Sequence, residues 1–181
     1  MPEIRWVTDT SVITHLFMAG YGELLKQLAP DSVLVVPSAV VKEIEDGRDT
    51  YAGMPDMNAL EWLERVQPTE VEGWTALKVK AAMGGDETKH LGECEVIAIA
   101  KHRGMVALID ERAAITQAHA HGVTTRDTLW LVIEAYGSIF ENPRADAAAV
   151  VDALLEVTDR LPIDSGEELF VWAYEEGYLP R

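Results

Sequence analysis

Two short apolar segments of this chain run straight into carboxylates. Residues 4–8 (IRWVT) are followed by Asp9, and residues 105–109 (MVALI) by Asp110 and Glu111. In a parallel α/β sheet the functional crevice lies at the carboxyl ends of the strands. An aspartate at a strand-to-helix junction also serves as a helix N-cap. Two such acids at one sheet edge point to a site more strongly than either alone.

Helix geometry sorts the remaining acids. On the helix that opens at Leu91, Glu93 shares a face with Val96, Ile97 and Ala100, the apolar face expected to pack on the sheet. Glu95 points the other way, with Ala98 and His102. A carboxylate aimed into an apolar face is costly unless something compensates it, which favours Glu93 as a functional acid and Glu95 as a structural one. On the helix that opens at Ser38, Glu43 lies at the edge of the stripe containing Val40 and Ile44, while Lys42, Glu45 and Asp46 face solvent. Glu43 is therefore the acid of this helix expected to face the sheet edge; the plainer alternative is a boundary glutamate that turns outward.

Asp9, Glu43, Glu93 and Asp110 are thus expected to converge. Two carboxylates ~4 Å apart repel by ~4 kcal/mol at an effective dielectric near 20. Protons or cations must neutralise such a cluster. All-oxygen donors suit Mg²⁺ or Mn²⁺ better than Zn²⁺. Such ions activate water and stabilise a phosphodiester under in-line attack.

The elements that must hold these acids alternate in period. Strands are predicted at 4–8, 33–36, 105–109 and, more weakly, 123–125. Helices are predicted at 11–28, 38–46, 57–65, 74–83, 91–103, 112–121, 127–139, 144–160 and 165–176. Pro37 suits the first position of its helix, and GGDETK (84–89) has the composition of an exposed loop. The alternation argues for an α/β sandwich on a mostly parallel sheet. Strand signals stop after Ile139. The division expected is therefore a core over 1–140 and a C-terminal helical annex over 141–181.

The chain has 181 residues, with 15 Lys+Arg against 31 Asp+Glu, a formal charge of −16. That acidity excludes a protein that coats nucleic acid without specificity, since phosphate neutralisation supplies most of such binding. Any nucleic-acid contact needs a local basic patch, a cation or a partner. A single cysteine, Cys94, rules out an intramolecular disulfide and paired-cysteine zinc sites. No apolar run approaches a membrane span, and the N-terminus lacks the pattern of a secretory signal. The expectation is a soluble cytoplasmic protein.

The segments VTDTSVI (7–13), VVPSAVVKEI (35–44), LGECEVIAIA (91–100) and LIDERAA (108–114), in this order and with GVTTRDTL (122–129), carry a family likeness. Over about residues 4–140 the chain resembles the PIN-domain family of metal-dependent ribonucleases, especially its toxin-like prokaryotic members. The resemblance implies a flavodoxin-like three-layer α/β/α sandwich, Mg²⁺ or Mn²⁺ as cofactor, and endonucleolytic cleavage of RNA. It also implies a homodimer and an antitoxin partner. By position, Asp9, Glu43 and Glu93 match the family's acids, and the fourth matches Asp110 or Glu111. Ser11 matches the small hydroxyl that supports the first aspartate. Two departures stand out. A glutamate at 111 would reach further than the usual aspartate, and the Arg126–Asp127 pair replaces a commonly small residue at the rim.

The remaining polar residues have plainer roles. His119 and His121, two apart on a helix, diverge too far for a zinc pair; His15, His90 and His102 are scattered. Cys94 is a packing residue, and Trp62, Trp74, Trp130 and Trp172 belong to apolar faces of the core or an interface. Lys42, Arg48, Lys89 and Arg112 lie near the acids in sequence and are surface cations or phosphate guides. A catalytically silent protein-binding module is the main alternative. A phosphoryl-accepting receiver-like domain ranks below it, because no lysine closes a late strand.

Overall fold

The computed structural model describes residues 4–86 and 89–180. Its centre is a five-stranded sheet: β1 (Trp6–Thr8), β2 (Leu34–Pro37), β3 (Leu63–Val66), β4 (Val106–Leu108) and β5 (Thr125–Arg126). The strands run in the order β3-β2-β1-β4-β5 and every pairing is parallel. The inner strands β2, β1 and β4 are short, apolar and largely buried, as a helix-covered parallel sheet requires, whereas the edge strand β3 exposes Glu64 and Arg65. From β1 the chain builds toward β2 on one side and resumes at β4 on the other. The strand order therefore reverses between β1 and β4, where a crevice opens at the strand ends. Asp9 and Asp110 follow those two strands.

Helices cover both faces. Helices α1 (Thr10–Met18), α2 (Glu23–Leu28), α7 (Thr128–Ser138) and α8 (Pro143–Val157) pack with one another. On the other side α5 (Leu91–Arg103) packs against α3 (Ser38–Gly47), α4 (Glu70–Met83) and α6 (Arg112–Ala120). The three-layer α/β/α architecture is the one the sequence implies. The annex, α8 with α9 (Leu169–Glu175), contributes Val150, Val151, Leu154, Leu169 and Ala173 to the same continuous core. Among the described residues no helix is long and apolar enough to cross a membrane.

Three expectations need correction. The helix expected over 57–65 is a single 3₁₀ turn, Met57–Ala59, followed by β3. Leu, Glu and Arg favour helices intrinsically, but the edge of β2 offers its backbone, and four consecutive residues pair with it. The helix expected over 11–28 is two helices. Gly20 adopts φ 84°, a conformation that carries no side-chain penalty only in glycine. There the Tyr21 N–H bonds to the Leu16 carbonyl at 2.8 Å and the Gly20 N–H to Phe17 at 3.0 Å, closing α1 with a Schellman turn. Pro37 ends β2 and flanks α3 as its cap residue, so it is not the first helical residue.

Helix α4 also begins earlier than expected, at a capping box in which Thr69 and Glu72 satisfy each other's backbone N–H groups. Trp74 on this helix is 61% exposed, unlike Trp172, which is buried. Of the loop expected at 84–89, Gly84, Gly85, Asp86 and Lys89 are exposed. Glu87 and Thr88 lie outside the described residues, as do Met1 to Glu3 of the N-terminal stretch and Arg181.

Candidate metal centre

Asp9 sits at the carboxyl end of β1, 1% exposed. Its Oδ1 accepts a hydrogen bond from the Val12 N–H at 2.9 Å, capping α1, and its Oδ2 faces the Asp110 N–H at 3.4 Å. Both readings of this residue, cap and site acid, therefore describe the same side chain. Burial, with the Asp110 charge next and Glu93 adding to it, pushes the Asp9 carboxyl well above the usual aspartate range; the two N–H groups counter this only in part.

Asp110 and Glu111 both reach the site, in different orientations. Asp110 Oδ1 accepts from the Thr128 N–H at 2.8 Å. Its Oδ2 accepts from the Thr128 hydroxyl at 2.8 Å and lies 3.2 Å from His15 Nδ1. Asp110 is thus held by the start of α7 and by α1. Glu111 turns the other way, with Oε2 at 3.1 Å from His90 Nδ1. The same nitrogen is 3.7 Å from Glu93 Oε1. His90, Glu93 and Glu111 present one donor atom each within 4.8 Å of one another.

Glu93 joins the two ends of the cluster. Its carboxyl is raised first by burial, then by Glu111 and Glu43, against the pull of its own backbone N–H. Glu43 is exposed on α3 and accepts a hydrogen bond from the Thr10 hydroxyl. Gly92 permits this proximity: a Cβ there would lie 3.0 Å from both Glu43 Oε2 and Val40 Cγ2. The structure therefore gathers all five acids, Asp9, Glu43, Glu93, Asp110 and Glu111, around the mouth between β1 and β4.

One member of the neighbourhood escaped the sequence reading, His90; its signal was the three-residue spacing to Glu93 at a helix start. Asp127, expected only at the rim, has the same strand–Asp–helix context that singled out Asp9. It caps α7 through the Trp130 N–H at 2.7 Å. Burial, with Asp110 and Glu176 nearby, lifts its carboxyl to about 6.

Glu95 has a different task. Helix α5 is buried nearly all round, between the sheet and the helices beside it, as its apolar composition requires. Glu95 consequently points at α3, accepting from the Ala39 N–H at 3.0 Å and the Ser38 hydroxyl at 3.4 Å. It supplies the side-chain cap that Pro37 cannot. Glu95→Ala is expected to cost ~1–2 kcal/mol of stability and to leave metal affinity unchanged. Thermal melting beside calorimetric Mn²⁺ titration checks both halves.

The other expected roles resolve simply. Cys94 is buried and its thiol is pushed up to about 12 by that burial, so it is inert packing. Lys42 pairs with Asp46, and Arg48 with Glu45 and Asp56, so neither is free to guide phosphate.

The donor set fits a divalent cation. Five carboxylates and one imidazole meet at one crevice, and two of the acids, Asp9 and Glu93, resist ionising there through burial first and neighbouring carboxylates next. Oxygen-rich sites of this kind suit Mg²⁺ and Mn²⁺.

The sequence profile of the PIN domain matches residues 5–165. The chain belongs to the PIN-domain family, whose fold is a nuclease fold. No curated protein matches the chain.

Proposed function

We propose that this protein is a Mg²⁺- or Mn²⁺-dependent endoribonuclease. The observation that supports the reading most is the meeting of Asp9, Glu93 and Glu111 with His90 at the switch point of the sheet. Glu93, Glu111, His90 and Asp9 would hold the metal, with Glu43 completing the donor set. When bound, a divalent cation supplies an activated water and charge stabilisation for phosphodiester hydrolysis. The protein's own groups fix the geometry. Thr128 and His15 lock the Asp110 carboxylate, and the Asp110 N–H in turn orients Asp9.

The test is incubation of a mixed structured and single-stranded RNA pool with Mg²⁺, with Mn²⁺ and with EDTA. Cutting with metal and none with EDTA is the expected result; no cutting by folded protein under any condition overturns the reading.

The imidazole favours Mn²⁺ within this proposal, because Mn²⁺ accepts nitrogen donors more readily than Mg²⁺. His90→Gln is expected to weaken Mn²⁺ binding about tenfold and to leave Mg²⁺ binding nearly unchanged, as read by calorimetry. An equal loss for both ions would remove His90 from the donor set.

A toxin role, with a homodimer and an antitoxin partner in the cytoplasm, belongs to the same proposal. One surface feature supports a protein partner. Val71, Trp74 and Leu77 form a stripe on α4, each about 60% exposed. It equally favours the second reading, a catalytically silent protein-binding module, for which metal binding without any cleavage would be the evidence.

A further inference from the structure

A second charged cluster lies away from the acid mouth, and its sign is the opposite one. Helices α4, α5 and α6 pack on one another. Lys101, in the last turn of α5, places its Nζ 3.3 Å from His121 Nδ1, just past the end of α6. Burial first, then the charges of Lys101 and of Lys78 on α4, hold that imidazole below the usual histidine range. His102 adds a second imidazole next to Lys101; its Nε2 is 2.8 Å from the hydroxyl of Thr75, about one turn before Lys78. Among the described residues, neither Lys78 nor Lys101 has a carboxylate within ion-pair distance.

A chain with 31 acidic side chains and a charge of −16 has a carboxylate available for every lysine. Asp46 pairs Lys42 in this way, and Glu72 pairs Arg103. At the α4–α5–α6 cluster like charges are brought together instead. The contact between Lys101 and His121 holds only while the imidazole is neutral and accepts. Helix dipoles account for part of this, since the last turn of α5 favours cations. They do not account for Lys78, which stands five residues before the end of α4 at Met83. Nor do they cancel its field, because a helix end carries only about −0.5 charge against a full charge on each lysine. The cluster also has a fixed relation to the acids. Helix α5 runs from Glu93 to Lys101, and α6 runs from beside Glu111 to His121. At 1.5 Å per residue the cations stand ~12–15 Å from the acid mouth.

We propose that Lys78, Lys101 and His121 form a phosphate exosite, a second contact for the backbone of an RNA whose scissile bond lies at the acids. Ammonium and imidazole groups that converge without carboxylates suit a phosphate oxyanion, which takes charge-assisted bonds from several donors at once. The separation from the acids corresponds to roughly four phosphate steps of a stacked strand, at ~3.4 Å each. The substrate class that follows is an RNA long enough to reach both places. The exosite does not read its sequence, because backbone contacts position a strand without specifying it. It also offsets locally the repulsion that a charge of −16 imposes on any polyanion. The three side chains bind substrate and are remote from the bond that breaks. The inference rests on the ribonuclease reading above.

The test uses the full chain and two fluorescein-labelled RNAs of mixed sequence, of about four and about twenty nucleotides, of which only the longer reaches the cations from the acids. Fluorescence anisotropy in Ca²⁺ reads affinity, and cleavage in Mn²⁺ is followed in parallel. The longer RNA is expected to bind at least about tenfold tighter. Lys78→Gln combined with Lys101→Gln removes about tenfold of its affinity and lowers the salt slope by about one per lysine. The same variant leaves the shorter RNA unaffected, and Lys→Arg at both positions keeps affinity and slope. Where the longer RNA is cut, the glutamine variant raises KM and leaves kcat as it was. Both lysines are exposed, so the variants keep the fold. No preference for the longer RNA, unchanged affinity in the glutamine variant, or an equal loss for both RNAs overturns the exosite. So does competition by poly-glutamate as strong as that by unlabelled RNA, which points to an acidic protein instead. Cleavage with an unaffected glutamine variant would discard the exosite and keep the nuclease. Lysine-dependent binding of the longer RNA without cutting in any metal would keep the phosphate contact and discard the nuclease.

Discussion

Asp9→Asn loses cleavage by on the order of 10³-fold, while the protein folds and melts no lower than the parent at pH 7 in EDTA. The substitution is isosteric, and the amide oxygen can still accept the Val12 N–H that caps α1. What it removes is a titratable carboxyl in a fully buried position beside Asp110 and Glu93. Without metal the folded state resists ionising that carboxyl, so its replacement by an amide is neutral or stabilising. With metal the ionised carboxylate is a ligand, so its loss is fatal to binding. A merely structural N-cap would behave the other way, losing ~1 kcal/mol on truncation and leaving activity intact. Single-turnover kinetics and thermal melts on one preparation separate the two.

The second large effect is a stability that falls as pH rises and is restored by metal. Burial raises the carboxyls of Asp9, Glu93, Glu95 and Asp127, the last from 3.8 to about 6. Each stays protonated in the folded state at a pH where the unfolded chain has released its proton. The folded state then binds more protons, and stability declines between about pH 4 and 7. Asp127 alone contributes ~2–3 kcal/mol to that decline. Glu72 acts with the opposite sign: hydrogen bonding to Arg103 holds it at about 2, so its contribution is complete above pH ~5 and is lost only on further acidification. It does not mask the window. In EDTA the melting temperature is expected to drop from pH 5 to 7. Mn²⁺ at a hundred times its dissociation constant adds ~2.7 kcal/mol, roughly 5–10 °C for a chain of this size, and more at pH 7 than at pH 5. A melting temperature that climbs across this range without metal, or a metal shift that ignores pH, contradicts the arrangement.

The acids were legible because their positions follow from local rules. Asp9 and Asp110 end strands whose apolar character is unambiguous, and helical periodicity separates Glu93 from Glu95. Asp127 follows the same rule as Asp9, but β5 is only Thr125–Arg126, too short to announce a strand end. His90 could not be weighed without knowing that α6 starts beside α5, because its partner Glu111 is twenty-one residues away in sequence. Strand β3 was hidden for a similar reason. Its residues favour a helix in isolation, and only the open edge of β2 makes them a strand. The role of Glu95 depends on Pro37 having no side chain that can cap α3, a fact visible only once α3 and α5 are in contact.

The most direct test of the account is cleavage of an RNA pool in ¹⁸O-water with Mn²⁺, for the wild-type chain and Asp9→Asn. Hydrolysis by a water bound at these acids places one ¹⁸O on each new terminal phosphate, stops in EDTA and is lost in the variant. Cleavage that persists in EDTA, that survives Asp9→Asn, or that leaves 2′,3′-cyclic phosphate ends without ¹⁸O would contradict it.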